Sequence, residues 1–162
     1  MALAILAWLV AIPALGAMTG LRSMTPMAIL CYFAYRHHLW LVGTWGFWAM
    51  KPASLLIFSV LALLELIGDK LPMTPNRTAP FPLIARIGFG GLAGALAATG
   101  LQGSVIEGIF LGALSAFAGA FLGFHLRHWL VQDQGFPAMA VALVEDCVAI
   151  GLSVLAMGII TG

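Results

Sequence analysis

The sequence predicts an all-α, polytopic transmembrane bundle of about six spans, and three observations predict it. Hydrophobic residues make up 62% of the chain and charged residues 8%, against about 45–50% and about 25% in soluble domains. So few charges do not build a water-facing surface. Apolar runs without an acidic or basic residue recur along the chain, and a run of about 18 residues or more crosses a hydrocarbon core of about 30 Å at about 1.5 Å per residue. Gly, Pro and Asn interrupt these runs where short connections are needed.

Taken in order, the first span is placed at 2–20. It opens with MALAILAW, without the basic start of a signal peptide, and is read as a retained span. It closes on GLRSMTP (20–26), where Pro26 suits the first turn of a second span at 25–43. Arg36, His37 and His38 fall inside that second run, and Trp40, Trp45, Trp48 and Lys51 suit a headgroup-level belt. A short or re-entrant second span followed by an interfacial segment is therefore the other reading. The third span, 53–70, ends in Glu65, Asp69 and Lys70; the fourth, 84–101, opens at Arg86. The fifth, 106–127, reaches His125 and Arg127, with His128 just beyond, and the sixth, 138–160, holds Glu145 and Asp146. All belong to a single integral membrane domain over 1–162.

Under this count the connections after the first, third and fifth spans share one side and carry Arg22, Lys70, Arg77, Arg86 and Arg127, against Arg36 and Lys51 on the other. The positive-inside rule puts the first group in the cytoplasm and both termini outside. Gly90 with Gly94, and Gly119 with Gly123, stand at GxxxG spacing, which permits close helix contact within one subunit or across a homodimer. A weak three-helix repeat is legible at an offset of 80 residues: Thr19-Gly20-Leu21 is echoed by Thr99-Gly100-Leu101, and ALLE (62–65) by ALVE (142–145). An inverted repeat requires mirrored depths for Glu65 and Glu145. The span boundaries instead give both about the same depth from one side, roughly 9–10 Å at about 1.5 Å per residue, so one of these two inferences must give way.

The charges carry the functional reading. An ionised side chain at bilayer depth costs about 2.5–3.5 kcal/mol on insertion scales, so an acid kept there is paired, lines water or is protonated. Arg22, Glu65, Asp69, Lys70, Arg86, Glu145 and Asp146 converge on one third of the bundle and are the candidate substrate- or ion-binding residues. Glu65 and Asp69 share a helical face, whereas Glu145 and Asp146 diverge by about 100°. Glu145, far in sequence from any lysine or arginine, is the expected carrier of a coupling proton. His125 and His128, three apart on one face, are the metal-ligand candidates; headgroup-facing histidines are the alternative. Cys31 and Cys147 stand alone in apolar surroundings and read as buried thiols.

Several classes are excluded or unsupported. A net charge of +1 without a basic run leaves no face for nucleic acid. HExxH, GxSxG and P-loop motifs are absent from the sequence, and no cofactor is implied. GLRSMTP reads either as a capped turn or as a loop that holds a phosphate or carboxylate.

The segments GLRSMTP, ELIGDKLPMTPNRTAP (65–80), RIGFGGLAGA (86–95) and EDCVA (145–149) resemble a family of small bacterial inner-membrane proteins catalogued as a domain of unknown function. The resemblance covers most of the chain, least of all 30–55. It implies that Arg22, Glu65, Asp69, Lys70, Pro72, Arg86, Glu145 and Asp146 occupy the family's recurrent polar positions, and it implies no activity. The function expected is passage of a small solute or ion, coupled to protons through Glu145, with the lipid bilayer and that solute as partners. Two alternatives stay open: a lipid-handling protein, flippase or intramembrane enzyme, that uses the arginines on a phosphate, and a structural assembly partner.

Overall fold

Two short helices joined by a two-residue turn begin the fold. The computed structural model describes residues 5, 7–68 and 80–162. A π-helical turn at Ala7–Ala11 runs into α1 (Ile12–Leu21), and α2 (Met24–Tyr35) follows. A 3-10 turn at Trp45–Met50 leads to α3 (Pro52–Gly68), and α4 (Pro80–Gly100), α5 (Val105–His128) and α6 (Ala138–Thr161) complete the order, with a π-helical turn at Trp129–Asp133 extending α5. There is no strand among the described residues. Pro80–Gly100, Val105–Asp133 and Ala138–Thr161 are long and apolar enough to cross a membrane; Ala7–Leu21, Met24–Tyr35 and Pro52–Gly68 are apolar but shorter.

Local chemistry sets the boundaries. α1 stops where Arg22 adopts φ −140°, ψ 105°, and α2 stops at Tyr35 rather than running to 43. There the amides of Arg36, His37 and His38 fold back onto carbonyls of the last turn, and His37 takes φ 59°, a left-handed conformation that ends a helix. The exposed Arg36, His37 and His38 side chains mark the same point. The turn that follows is tied down by Trp45, whose Nε1 donates to Thr99 Oγ1 at 3.0 Å. α3 opens on Pro52, a residue pre-set for the first helical turn. Ser104 caps α5, its hydroxyl accepting from the Glu107 amide at 3.4 Å.

On α3 the large apolar residues face outward: Leu56, Ile57, Val60, Leu63, Leu64 and Ile67 are exposed while Ala62 is buried. Lipid gives no hydrophobic drive to bury leucine, so helices associate by close approach of backbones. α1, α4 and α5 do this: a Cβ at Gly20 would run into the Ala116 carbonyl, and one at Gly94 into the Gly108 carbonyl. Gly90, Gly94 and Gly119 thus use their close-packing faces against neighbours within the chain.

These contacts also fix direction. Gly16 lies against Gly112 and Gly20 against Ala116 and Ala120, so α1 and α5 run parallel; Gly94 against Gly108 and Gly90 against Gly112 make α4 antiparallel to both. Trp8 abuts Gly103 and Leu39 abuts Gly100, so both open ends of the α1–α2 hairpin meet the α4–α5 turn and its tip, at 22–23, points to the other end. The tip is recessed. Its partner Arg86 lies six residues after the start of α4, Asp146 eight after the start of α6, and Ala120, beside Gly20, eight before the end of α5. At about 1.5 Å per residue these are depths of about 9–12 Å. Glu65 and Glu145 lie at this same end, not at the mirrored depths of an inverted repeat.

Candidate functional site

The hairpin tip exposes two helix ends at once, and each is completed by a charged side chain from another helix. Glu65 of α3 accepts from the Ser23 amide through Oε1 at 2.8 Å and from the Met24 amide through Oε2 at 2.9 Å. The first amides of a helix lack intrahelical partners, and a carboxylate there also complements the helix dipole. The Ser23 side chain makes no capping bond of its own. Arg86 of α4 treats the other end: its Nη1 donates to the carbonyls of Gly20 at 2.7 Å and Leu21 at 2.6 Å, where a cation is favoured. Arg86 Nη2 lies 3.9 Å from Glu65 Oε1, so the two capping groups also neutralise each other.

The turn itself is held from α6. Arg22 Nη2 lies 2.6 Å from Asp146 Oδ1, with the side chains 0% and 9% exposed. Ionised groups this deep persist when paired and hydrogen-bonded. Glu145, the next residue, points elsewhere because neighbours on a helix differ by about 100°; its Oε2 lies 3.4 Å from Arg127 Nη1 of α5. Thr25, in the first turn of α2, is buried, and its hydroxyl has no hydrogen-bond partner among the described residues.

The structure therefore brings together four of the residues singled out from sequence, Arg22, Glu65, Arg86 and Asp146, and sets Glu145 at their edge. Asp69 and Lys70 lie outside the described residues. One contributing side chain is not among those singled out. Arg127 partners Glu145 and removes the isolation that its place in the sequence suggests; α5 and α6 form a hairpin, and it returns 145 to the level of 127. The backbone of Gly20 and Leu21, and that of Ser23 and Met24, supply the remaining ligands. His125 and His128 are exposed, with His125 Nδ1 2.8 Å from the Phe121 carbonyl oxygen and both rings against Phe124. Among the described residues no group of three His, Cys, Asp or Glu is placed to hold a metal. Cys31 is buried as expected, whereas Cys147 is exposed on the outer face of α6.

The family described as Domain of unknown function (DUF4126) matches residues 9–159. The chain belongs to this family. Curated proteins and solved structures give no match. The DUF4126 match spans both halves of the candidate site, from the α1–α2 tip through Glu65 and Arg86 to Asp146. What this site can do follows from its composition: it presents amides suited to an anion and carbonyls suited to a cation, each occupied by an internal counter-charge.

Proposed function

We propose that this DUF4126 protein is a multi-pass protein of the bacterial inner membrane that moves a small solute or ion through the site at the hairpin tip. One observation carries the reading: Glu65 and Arg86, on separate helices, occupy the two helix ends that meet at depth. Helix ends inside a membrane bind solutes and ions in secondary transporters. Releasing Glu65 frees two amides for an anionic group, and releasing Arg86 frees two carbonyls for a cation. The Thr25 hydroxyl adds a polar group beside the freed amides, and the Arg22–Asp146 pair keeps the tip in place during the exchange. Asp69 and Lys70 join this set by their place in the sequence, after Glu65 on the same run. The tip end carries Arg22, Arg86 and Arg127, so the positive-inside rule supports an orientation with that end cytoplasmic and both termini periplasmic.

The test is flux in proteoliposomes with entrapped pH-sensitive, sodium-sensitive and potassium-sensitive dyes under imposed gradients. Wild-type protein is expected to pass at least one of these ions faster than protein-free vesicles, with Glu65→Gln slower. Wild-type flux at the protein-free level for all three ions, or Glu65→Gln and Glu145→Gln both at the wild-type rate, overturns the reading.

A further inference from the structure

The tip end also carries an apolar groove of about 320 Å³ between the end of α5 and the start of α6, bounded by Leu21, Leu126, Phe136 and Val144, with Glu145 in its wall. It opens outward, since Leu126, Phe136 and Val144 are 54%, 54% and 62% exposed. Leu21 belongs to the hairpin tip, so the groove runs from the outer surface to the recessed site. Arg127, between the lining Leu126 and Leu130 on α5 and its π-helical extension, reaches the groove wall through Glu145. That guanidinium is 28% exposed, and its one polar partner among the described residues is Glu145 at 3.4 Å, longer than the about 2.7–2.9 Å of a strong charge-assisted bond. Its remaining N–H donors face no acceptor among the described residues. His125 and His128 share the same last turn of α5.

An apolar slot that ends at a cation with donors to spare matches one chemistry in a bilayer: an acyl chain followed by a phosphate. We propose that the α5–α6 groove holds an acyl chain of an anionic phospholipid whose phosphate is bound by Arg127. Guanidinium groups suit phosphate because their planar fork donates two parallel bonds. The anionic class is selected because the phosphate of a zwitterionic lipid brings an ammonium group to the same cationic corner. The site is independent of the transport reading, because lipid binding needs no gradient.

The experiment is thermal unfolding of delipidated protein in detergent, titrated with phosphatidylglycerol, phosphatidylcholine or glycerol phosphate, since a ligand that binds the folded state raises Tm with concentration. Phosphatidylglycerol is expected to raise the wild-type Tm by several degrees and the other two to raise it much less. Arg127→Ala leaves the Glu145 carboxylate without this cation, so the charge is removed instead as Arg127→Gln with Glu145→Gln; the groove is filled separately by Val144→Trp, at a position already exposed. Both variants are expected to lose most of the phosphatidylglycerol response. Equal responses to the two lipids overturn the phosphate contact, an equal response to glycerol phosphate overturns the acyl slot, and a full response in both variants overturns the site.

Discussion

Asp146 of α6 holds Arg22 of the α1–α2 turn at 2.6 Å, and the arginine side chain is fully buried. The bond joins a turn near the start of the chain to the last helix and fixes how deep the hairpin sits. Asp146→Asn leaves the guanidinium at depth without this counter-charge, a loss of about 3–5 kcal/mol for breaking a buried pair, read as a fall in Tm in detergent. Replacing the pair by apolar residues is often neutral or stabilising, so Arg22→Met with Asp146→Leu is expected to recover most of that loss. If the pair also takes part in transport, the double variant folds without passing ions.

Glu65 makes two backbone bonds that no other described side chain makes to those amides. Removal of a side-chain cap costs about 0.5–2 kcal/mol, and Glu65→Ala is expected at the upper end because it also takes the counter-charge from Arg86. Glu65→Gln keeps one acceptor oxygen and falls between. Hydrogen exchange followed by mass spectrometry checks this locally: peptides covering 20–26 should exchange faster in Glu65→Ala than in wild type, while peptides from the α4–α5 turn should not change.

The clustering of charge is legible in the sequence because an apolar chain leaves so few charges to place. Counting residues from span ends puts Glu65, Glu145 and Asp146 at one depth, and in the structure Glu65 and Asp146 both reach the hairpin tip. The recess of the hairpin is less legible. Hydropathy runs on through Leu39 and Leu41, which are buried, although the helix has already ended at Tyr35; an apolar pattern does not tell a helix from a buried turn. GLRSMTP is legible as a turn that can hold a carboxylate, but the sequence does not say which one, so the role of Glu65 as a cap for another helix stays hidden at that level. Reading Glu145 as an isolated acid leaves out Arg127, because distance along the chain says little about two residues at the closed end of a helical hairpin.

Glycine positions separate packing from permissiveness. A methyl at Gly94 meets the Gly108 carbonyl oxygen of α5, a backbone atom that moves only if the helix does, so Gly94→Ala is expected to cost about 1–3 kcal/mol through overpacking. A methyl at Gly151 in α6 would meet nothing within 4 Å, so Gly151→Ala is expected to stabilise by about 0.5–1 kcal/mol, the usual helix gain over glycine. Paired thermal melts in one detergent should move in opposite directions.

The two cysteines give a direct check of which faces are covered. Cys31 lies in the core and Cys147 on the outer face. N-ethylmaleimide should therefore add one label to the native protein in mild detergent, at Cys147, and a second only after unfolding. Cys147→Ser should abolish the native label.

The pair between Glu145 and Arg127 is asymmetric, and the asymmetry gives a test of role. The glutamate side chain is 10% exposed and the arginine 28%. Arg127→Ala leaves a carboxylate at depth without that partner, whereas Glu145→Gln leaves a cation that reaches solvent or headgroups, so the arginine substitution is expected to lower Tm more. A double-mutant cycle on the two should give a coupling of about 0.5–3 kcal/mol, as expected for residues in direct contact. A Glu145 that only fastens helices loses stability and ion flux together when changed. A Glu145 that carries a proton gives a different result: Glu145→Gln keeps Tm near wild type in detergent, yet its proteoliposomes lose the proton-driven component of flux.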